Sequence, residues 1–196
     1  MKIFLLRHGE STSDVENRYG GDYDDHLTEK GTSQSRGLAQ KLLDKGIEII
    51  FSSPKIRARQ TAEILKDAFG CQFEIVDDIR ERNHYGILTG MEKTEAAEKY
   101  PELVEKLKDH RHHIEGSEGY EDFLQRIERA IREITNTPYS TLAIVTHGGP
   151  IRAAFRDIFK FGELVSPLGD CAIIELEMET GGYKIVNLEG AALLGK

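Results

Sequence analysis

Short apolar runs broken by polar, glycine-bearing stretches organise this chain. Lys2 to Leu6 is a four-residue apolar run behind a single lysine, which predicts a buried strand that stops where Arg7-His8-Gly9-Glu10 begins. Gly9 to Asp25 is polar and rich in Asn, Asp and Gly, and reads as a loop. Thr28 is an N-cap candidate for a helix from about Glu29 to Leu43, closed near Gly46. Ile47 to Phe51 predicts a second strand. Ser52-Ser53-Pro54 then opens a helix to about Phe69, with Pro54 expected in its first turn, and Phe73 to Val76 is a third strand.

From about 77 to 117 the pattern changes to short amphipathic stretches, near Glu92–Tyr100 and Pro101–Lys108, among scattered histidines. This reads as a cap rather than as sheet. Phe123, Ile127, Ile131 and Ile134 then recur at helical spacing and predict a long helix over about 120–135. Leu142 to Thr146 is a fourth strand ending at His147, and Gly149 to Phe159 is helical. Cys171 to Met178 and Tyr183 to Leu188 read as strands joined by a turn at Thr180-Gly181-Gly182. Strands alternating with helices predict an α/β three-layer sandwich: a mostly parallel central sheet, helices on both faces, and a small helical cap insertion within one domain of 196 residues.

Composition narrows the function. The net charge of −8 argues against nucleic acid as a partner, since a binder shows a basic face. It leaves room for a small anionic ligand, because a few arginines reverse the sign of one cleft. Cys71 and Cys171 lie far apart in no metal-like spacing and read as buried free thiols. The opening apolar run is too short for a signal-peptide core or a membrane span, so the expectation is a cytoplasmic protein without a membrane partner. The sequence is compatible with a homo-oligomer.

Two strand ends carry the same grammar of an apolar run, then His, then Gly: His8 after the first strand and His147 after the fourth. Ligands in open α/β sheets bind outside the carboxyl ends of the strands. A third strand end leads to Arg57, so Arg7 and Arg57 are expected to converge there, with Arg152 as a candidate third guanidinium. Guanidinium forks match phosphate geometry, and histidine attacks phosphorus directly. A leaving alkoxide needs a proton, for which Glu81, just after the third strand, is the candidate. Two histidines also begin a metal site, but neither they nor the His110, His112, His113 cluster is joined by a cysteine or fixed carboxylate. That cluster reads as a solvated face.

At these residues the chain resembles the histidine phosphatase superfamily, in particular its phosphoglycerate mutase branch. The likeness rests on four ordered blocks: Arg7-His8-Gly9-Glu10-Ser11 with its continuation Glu16 to Gly21 and Asp25 to Gly31, Ser52 to Thr61 around Arg57, Glu81 with Tyr85-Gly86, and Thr146-His147-Gly148-Gly149. The resemblance implies that His8 becomes a phosphohistidine. Arg7, Arg57 and His147 would hold the phosphoryl group, and Glu81 would be proton donor and then base. Ser11, Asp14, Asn17, Gly20, Gly21 and Gly148 are expected around the substrate.

Tyr85 and Lys93 look like the mutase residues that hold glycerate. The reading therefore leans to 2,3-bisphosphoglycerate-dependent interconversion of 3- and 2-phosphoglycerate, primed by that bisphosphate and needing no metal. Four departures favour the alternative, a metal-independent phosphomonoesterase of the acid-phosphatase kind acting on a small phosphorylated metabolite. Asn83 is an insertion, Asp14 stands where mutases usually have Asn, Gly149 replaces a substrate-binding Asn, and the cap lacks an adjacent arginine pair, Arg111-His112-His113 being the nearest substitute.

Overall fold

The computed structural model describes residues 1–165 and 167–194. Its sheet has six strands: β1 (Lys2–Arg7), β2 (Ile49–Ser52), β3 (Gln72–Ile75), β4 (Thr141–Thr146), β5 (Ile173–Glu179) and β6 (Gly182–Glu189), in the order β3-β2-β4-β1-β5-β6. The first four run parallel, and the β5–β6 hairpin closes the sheet antiparallel against β1. Alternation along β1 sends Ile3 and Leu5 to one face and Phe4 and Leu6 to the other. Both faces are covered, which is why the central strands read as unbroken apolar runs.

Helices α2 (Glu29–Leu42) and α3 (Ile56–Phe69) pack Leu38, Leu42, Ala58, Ala62 and Leu65 against the Phe4–Leu6 face. Helices α6 (Tyr120–Thr135) and α7 (Gly148–Ala153) cover the other face through Ala130, Ile134 and Ile151. Thr28 caps α2 as expected, its hydroxyl accepting from the Gly31 amide at 2.9 Å. A short 3₁₀ turn then ends on Gly46 in the left-handed region (φ 69°), which favours glycine there. Cys71 and Cys171 are free and half-buried at the edge of this core.

Two expectations change. The stretch 9–25 is not all loop: Thr12–Val15 forms one turn of helix, α1. It is started by Asp14, whose carboxylate accepts from both the amide and the hydroxyl of Ser11. Pro54 also lies outside α3, which begins at Ile56 with Lys55 as its N-cap. The leading amides are capped from elsewhere: Lys55 N–H donates to Ser53 Oγ at 3.2 Å and Ile56 N–H to Asp24 Oδ1 at 2.9 Å.

Between β3 and α6 the chain makes its excursion, with helices α4 (Lys93–Lys99) and α5 (Pro101–Lys106) and 3₁₀ turns at Asp77–Ile79 and Gly86–Leu88. Leu88, Ala96 and Ile114 form a small apolar cluster of its own, against which Tyr19 and Tyr85 pack. No helix among the described residues is long and apolar enough to cross a membrane.

Leu6 is fully buried two residues before His8. Leu6→Ala removes a large side chain from a packed face and lowers stability by about 3 kcal/mol in urea unfolding, as large-to-small core changes do.

Candidate active site

Parallel register brings the predicted residues together. Arg7 pairs with Thr146 and Ser52 with Val145, so β1 and β4 end level and β2 ends one residue short of them. His8, His147 and Ser53 are the next residues of each. The pairing runs one step past the strands: His8 N–H donates to Thr146 O at 3.1 Å and Ser53 N–H to Val145 O at 3.0 Å. The two imidazoles stand edge to face with centroids 5.0 Å apart. His8 lies at the floor of a cleft of about 390 Å³ between the strand ends and the cap, and His147 is fully buried behind it, outside the lining.

Hydrogen bonds fix the state of His8. Its Nδ1 lies 2.7 Å from the Gly9 carbonyl, which only accepts, so Nδ1 carries the proton. Its Nε2 therefore keeps a lone pair, toward which Arg57 Nε donates at 3.2 Å. Burial, with Arg57 and Arg7 adding to it, holds the His8 pKa well below that of a free imidazole. The result at neutral pH is a neutral imidazole whose Nε2 lone pair has the chemistry of a nitrogen nucleophile.

His147 is set up in the complementary way. The Ser53 hydroxyl oxygen accepts from Lys55 N–H and lies 2.7 Å from His147 Nε2, the one further partner within reach of its proton among the described residues. With that proton donated to Nε2, the hydrogen of His147 sits on Nδ1, a buried atom with no partner among the described residues. A buried donor without an acceptor costs about 1–3 kcal/mol. A phosphoryl oxygen would satisfy it. Burial and the nearby Arg57 keep this imidazole neutral as well.

The guanidiniums are oriented from different elements. Arg57 is buried in α3. It donates to Asp25 Oδ1 and Tyr23 O, both at 2.7 Å, and to Gly21 O at 3.0 Å. Asp25 is itself held by the Ser13 amide at 3.0 Å. Burial pushes Asp25 up, but Arg57 and the Ser13 and Ser11 hydroxyls outweigh it and hold the carboxyl below its usual range. Arg7 is anchored by Asp170 at 3.0 Å and by the Leu168 carbonyl, with Asp14 3.7 Å away. Glu81 accepts from the Arg82 amide at 2.8 Å and the Gly149 amide at 3.1 Å. Its loop is tied to α6 by Arg126, which donates to the carbonyls of Asp78, Arg80 and Glu81 while paired with Glu118.

Most of the other expected residues also line the cleft: Ser11, Asp14, Gly20, Gly21, Tyr85, Lys93 and Gly148. Burial raises the Tyr85 phenol to about 12, so it is a hydrogen-bond donor at neutral pH. Lys93 is exposed at the rim, where it opens α4. Asn17 is not part of the lining; it is exposed, in a left-handed conformation (φ 52°), and its carbonyl accepts from Lys93 N–H at 3.0 Å. His110 reaches the rim, edge-on to Tyr120 at 5.4 Å, whereas His112 and His113 face away along a shallow groove. Among the described residues no group of three or more His, Cys, Asp or Glu is placed to hold a metal ion.

Asp25 and Ser53 fell inside blocks of the resemblance without a role, and Asp170, Arg126 and Glu118 were not legible as site residues. Of these three, Arg126 carried a local signal, a charge between Phe123 and Ile127 on an otherwise apolar stripe.

Ser53→Ala frees His147 to swap its proton to Nε2 and should lower kcat about tenfold with little change in KM, a loss of the size one hydrogen bond to a catalytic group carries. The two imidazoles also shape the pH dependence of stability. Both have folded pKa values below the unfolded value near 6.5 (about the free imidazole value). Below that pH the unfolded chain takes up protons that the native state refuses, so stability is full above about 6.5 and falls as the pH drops below it. The urea midpoint should fall from pH 7.5 to 5.5, and fall less in His8→Gln.

The family model described as the histidine phosphatase superfamily, branch 1, matches residues 3–190. Phosphoserine phosphatase 1 of Hydrogenobacter thermophilus is 30% identical over 185 residues, covering 90% of this chain and 87% of that protein. The 2,3-bisphosphoglycerate-dependent phosphoglycerate mutase of Caulobacter vibrioides is 30% identical over 220 aligned positions, covering 96% and 90%. The solved structure of Bacillus stearothermophilus YhfR superposes with a TM-score of 0.84 at 27% identity, covering 96% of both chains. A model match over nearly the whole chain and relatives at this identity, joined to the paired imidazoles and guanidiniums at the strand ends, place this chain in the histidine phosphatase superfamily, branch 1.

Proposed function

We propose that the enzyme is a metal-independent phosphomonoesterase that hydrolyses a small phosphorylated metabolite through a phosphohistidine on His8. His8 Nε2 attacks phosphorus as the ester oxygen leaves with a proton from Glu81. Arg7, Arg57 and the His147 Nδ1–H neutralise the charge on the phosphoryl oxygens, the task that metal ions perform in other phosphoryl-transfer sites. Glu81, now ionised, takes a proton from water, and the resulting hydroxide displaces His8 to give phosphate.

Water rather than a second hydroxyl is the acceptor in this reading, and Gly149 supports it. A Cβ built on Gly149 would sit 2.1 Å from Glu81 Oε1, the movable end of that side chain. Where mutases of the resembled branch carry a substrate-binding Asn, this chain offers a second substrate no side chain, and Glu81 fills the space instead. The cap adds no arginine clamp either: Arg111 is exposed, 3.7 Å from Asp157, and is not part of the cleft lining.

A specific observation favours the second reading, a phosphoglycerate mutase primed by 2,3-bisphosphoglycerate. Tyr85 and Lys93 both line the cleft, as the resemblance to glycerate-holding residues requires.

The deciding experiment gives the enzyme 3-phosphoglycerate with and without 2,3-bisphosphoglycerate and measures free phosphate against 2-phosphoglycerate. Phosphate should dominate in both, with activity unchanged in chelator; primer-dependent isomer formation would establish the mutase. His8→Ala should lower turnover by at least about a thousandfold, the scale expected when a covalent nucleophile is removed.

A further inference from the structure

The cleft holds more positive charge than one phosphate needs. Seven Lys and Arg side chains line it against only two carboxylates, Asp14 and Glu81, in a chain whose net charge is −8. Arg7 and Arg57 belong to the phosphoryl pocket. Four arginines stand farther out, and three of them are already satisfied. Arg18 pairs with Glu16 and Glu92. Arg156 pairs with Asp157 and Glu163 and donates to the Tyr120 hydroxyl. Arg82 spends its donors on the carbonyls of Glu118, His110 and His112.

Arg152 is different. It is half-buried and has no carboxylate within 4.0 Å among the described residues; its only partners there are the Leu164 carbonyl at 2.6 Å and the Val165 carbonyl at 3.0 Å. Of its five N–H donors, those two bonds use two. Burial draws its basicity down, and Arg7 and Arg156 add to that against the pull of Glu163 and Glu81. A half-buried cation with spare donors and, among the described residues, no carboxylate partner gains from a ligand that supplies one.

Its position says which part of a ligand that is. Helix α7 turns one face to the cleft, through Gly148, Gly149, Arg152 and Ala153. Arg152 lies about one turn beyond the Gly149 amide that anchors Glu81. It therefore stands on the side of the proton donor, where the leaving group departs.

We propose that Arg152 is a specificity-determining residue that receives a second anionic group, a carboxylate or a second phosphate, on the leaving group of the substrate. The inference deepens the phosphomonoesterase reading and shares its site, but it concerns recognition and is tested by binding.

The test uses two matched pairs of ligands: 3-phosphoglycerate with glycerol 3-phosphate, which differ by carboxylate against hydroxymethyl, and propane-1,3-diol bisphosphate with 3-hydroxypropyl phosphate. Dissociation constants are measured by calorimetry on the His8→Ala protein, which removes turnover, with and without Arg152→Met. The anionic member of at least one pair should bind about tenfold or more tighter, the scale of a charge-assisted hydrogen bond, and the pair that shows it identifies the group. Arg152→Met should collapse that ratio toward one while Arg152→Lys keeps part of it. Inorganic phosphate, which reports the His8 pocket, should bind the Arg152→Met protein as before.

Equal binding within both pairs overturns the proposal, as does a ratio that survives Arg152→Met. A variant that loses inorganic phosphate as well also overturns it, because Arg152 would then act by holding Leu164 and Val165. Absence of phosphate release by the unmodified enzyme would sink the hydrolytic reading while leaving the binding ratio intact.

Discussion

The chemistry depends on parallel pairing of β1 with β4 and of β4 with β2. Those ladders bring three strand ends to within one residue of each other, and one residue beyond each end are His8, His147 and Ser53. A shift of register by one residue would turn each strand's alternate side chains to the opposite face and separate the imidazoles together. The site is thus held by the same backbone hydrogen bonds and apolar faces that hold the fold, with Leu5 and Leu6 buried on opposite sides just before Arg7 and His8.

On that frame, electrostatics gives each group its state. Burial of the His8 imidazole, with the guanidiniums packed around it, makes its protonation costly, so His8 remains neutral where a solvent-exposed histidine would titrate. The same guanidiniums favour an anion beside it. One arrangement thus lowers the basicity of His8 and suits the cleft to an anionic ligand. The acidic chain as a whole does not oppose this, since its carboxylates lie mostly away from the cleft.

Orientation comes from a layer behind the reacting atoms. Asp25 steers Arg57, Ser53 sets the proton of His147, Asp170 and the Leu168 carbonyl hold Arg7, and Arg126 ties down the loop that carries Glu81. Gly149 completes it by subtraction: its missing side chain is the space that Glu81 occupies. These supports pre-pay the ordering of the site before substrate arrives.

The sequence by itself determined the α/β layering and the strand ends, and it marked His8, Arg7, Arg57, His147 and Glu81 as the candidates that the fold gathers at those ends. Each lies at a change of hydrophobic period, and such changes are local. Tyr85 and Lys93 were legible only through a resemblance, and Asn17, taken from the same source, stands outside the cleft lining because its carbonyl ties α4 to the loop after α1. Tertiary structure alone decided the rest. Asp25 meets Arg57 and Ser53 meets His147 across 32 and 94 residues of chain, and no periodicity records a partner that far away. Pro54 fell outside its helix because the first amides of α3 are capped by Asp24 and Ser53, a loop and a strand end. Which donors are spent and which remain, as at Arg152, is likewise a property of packed neighbours, since the residue name gives only how many donors there are.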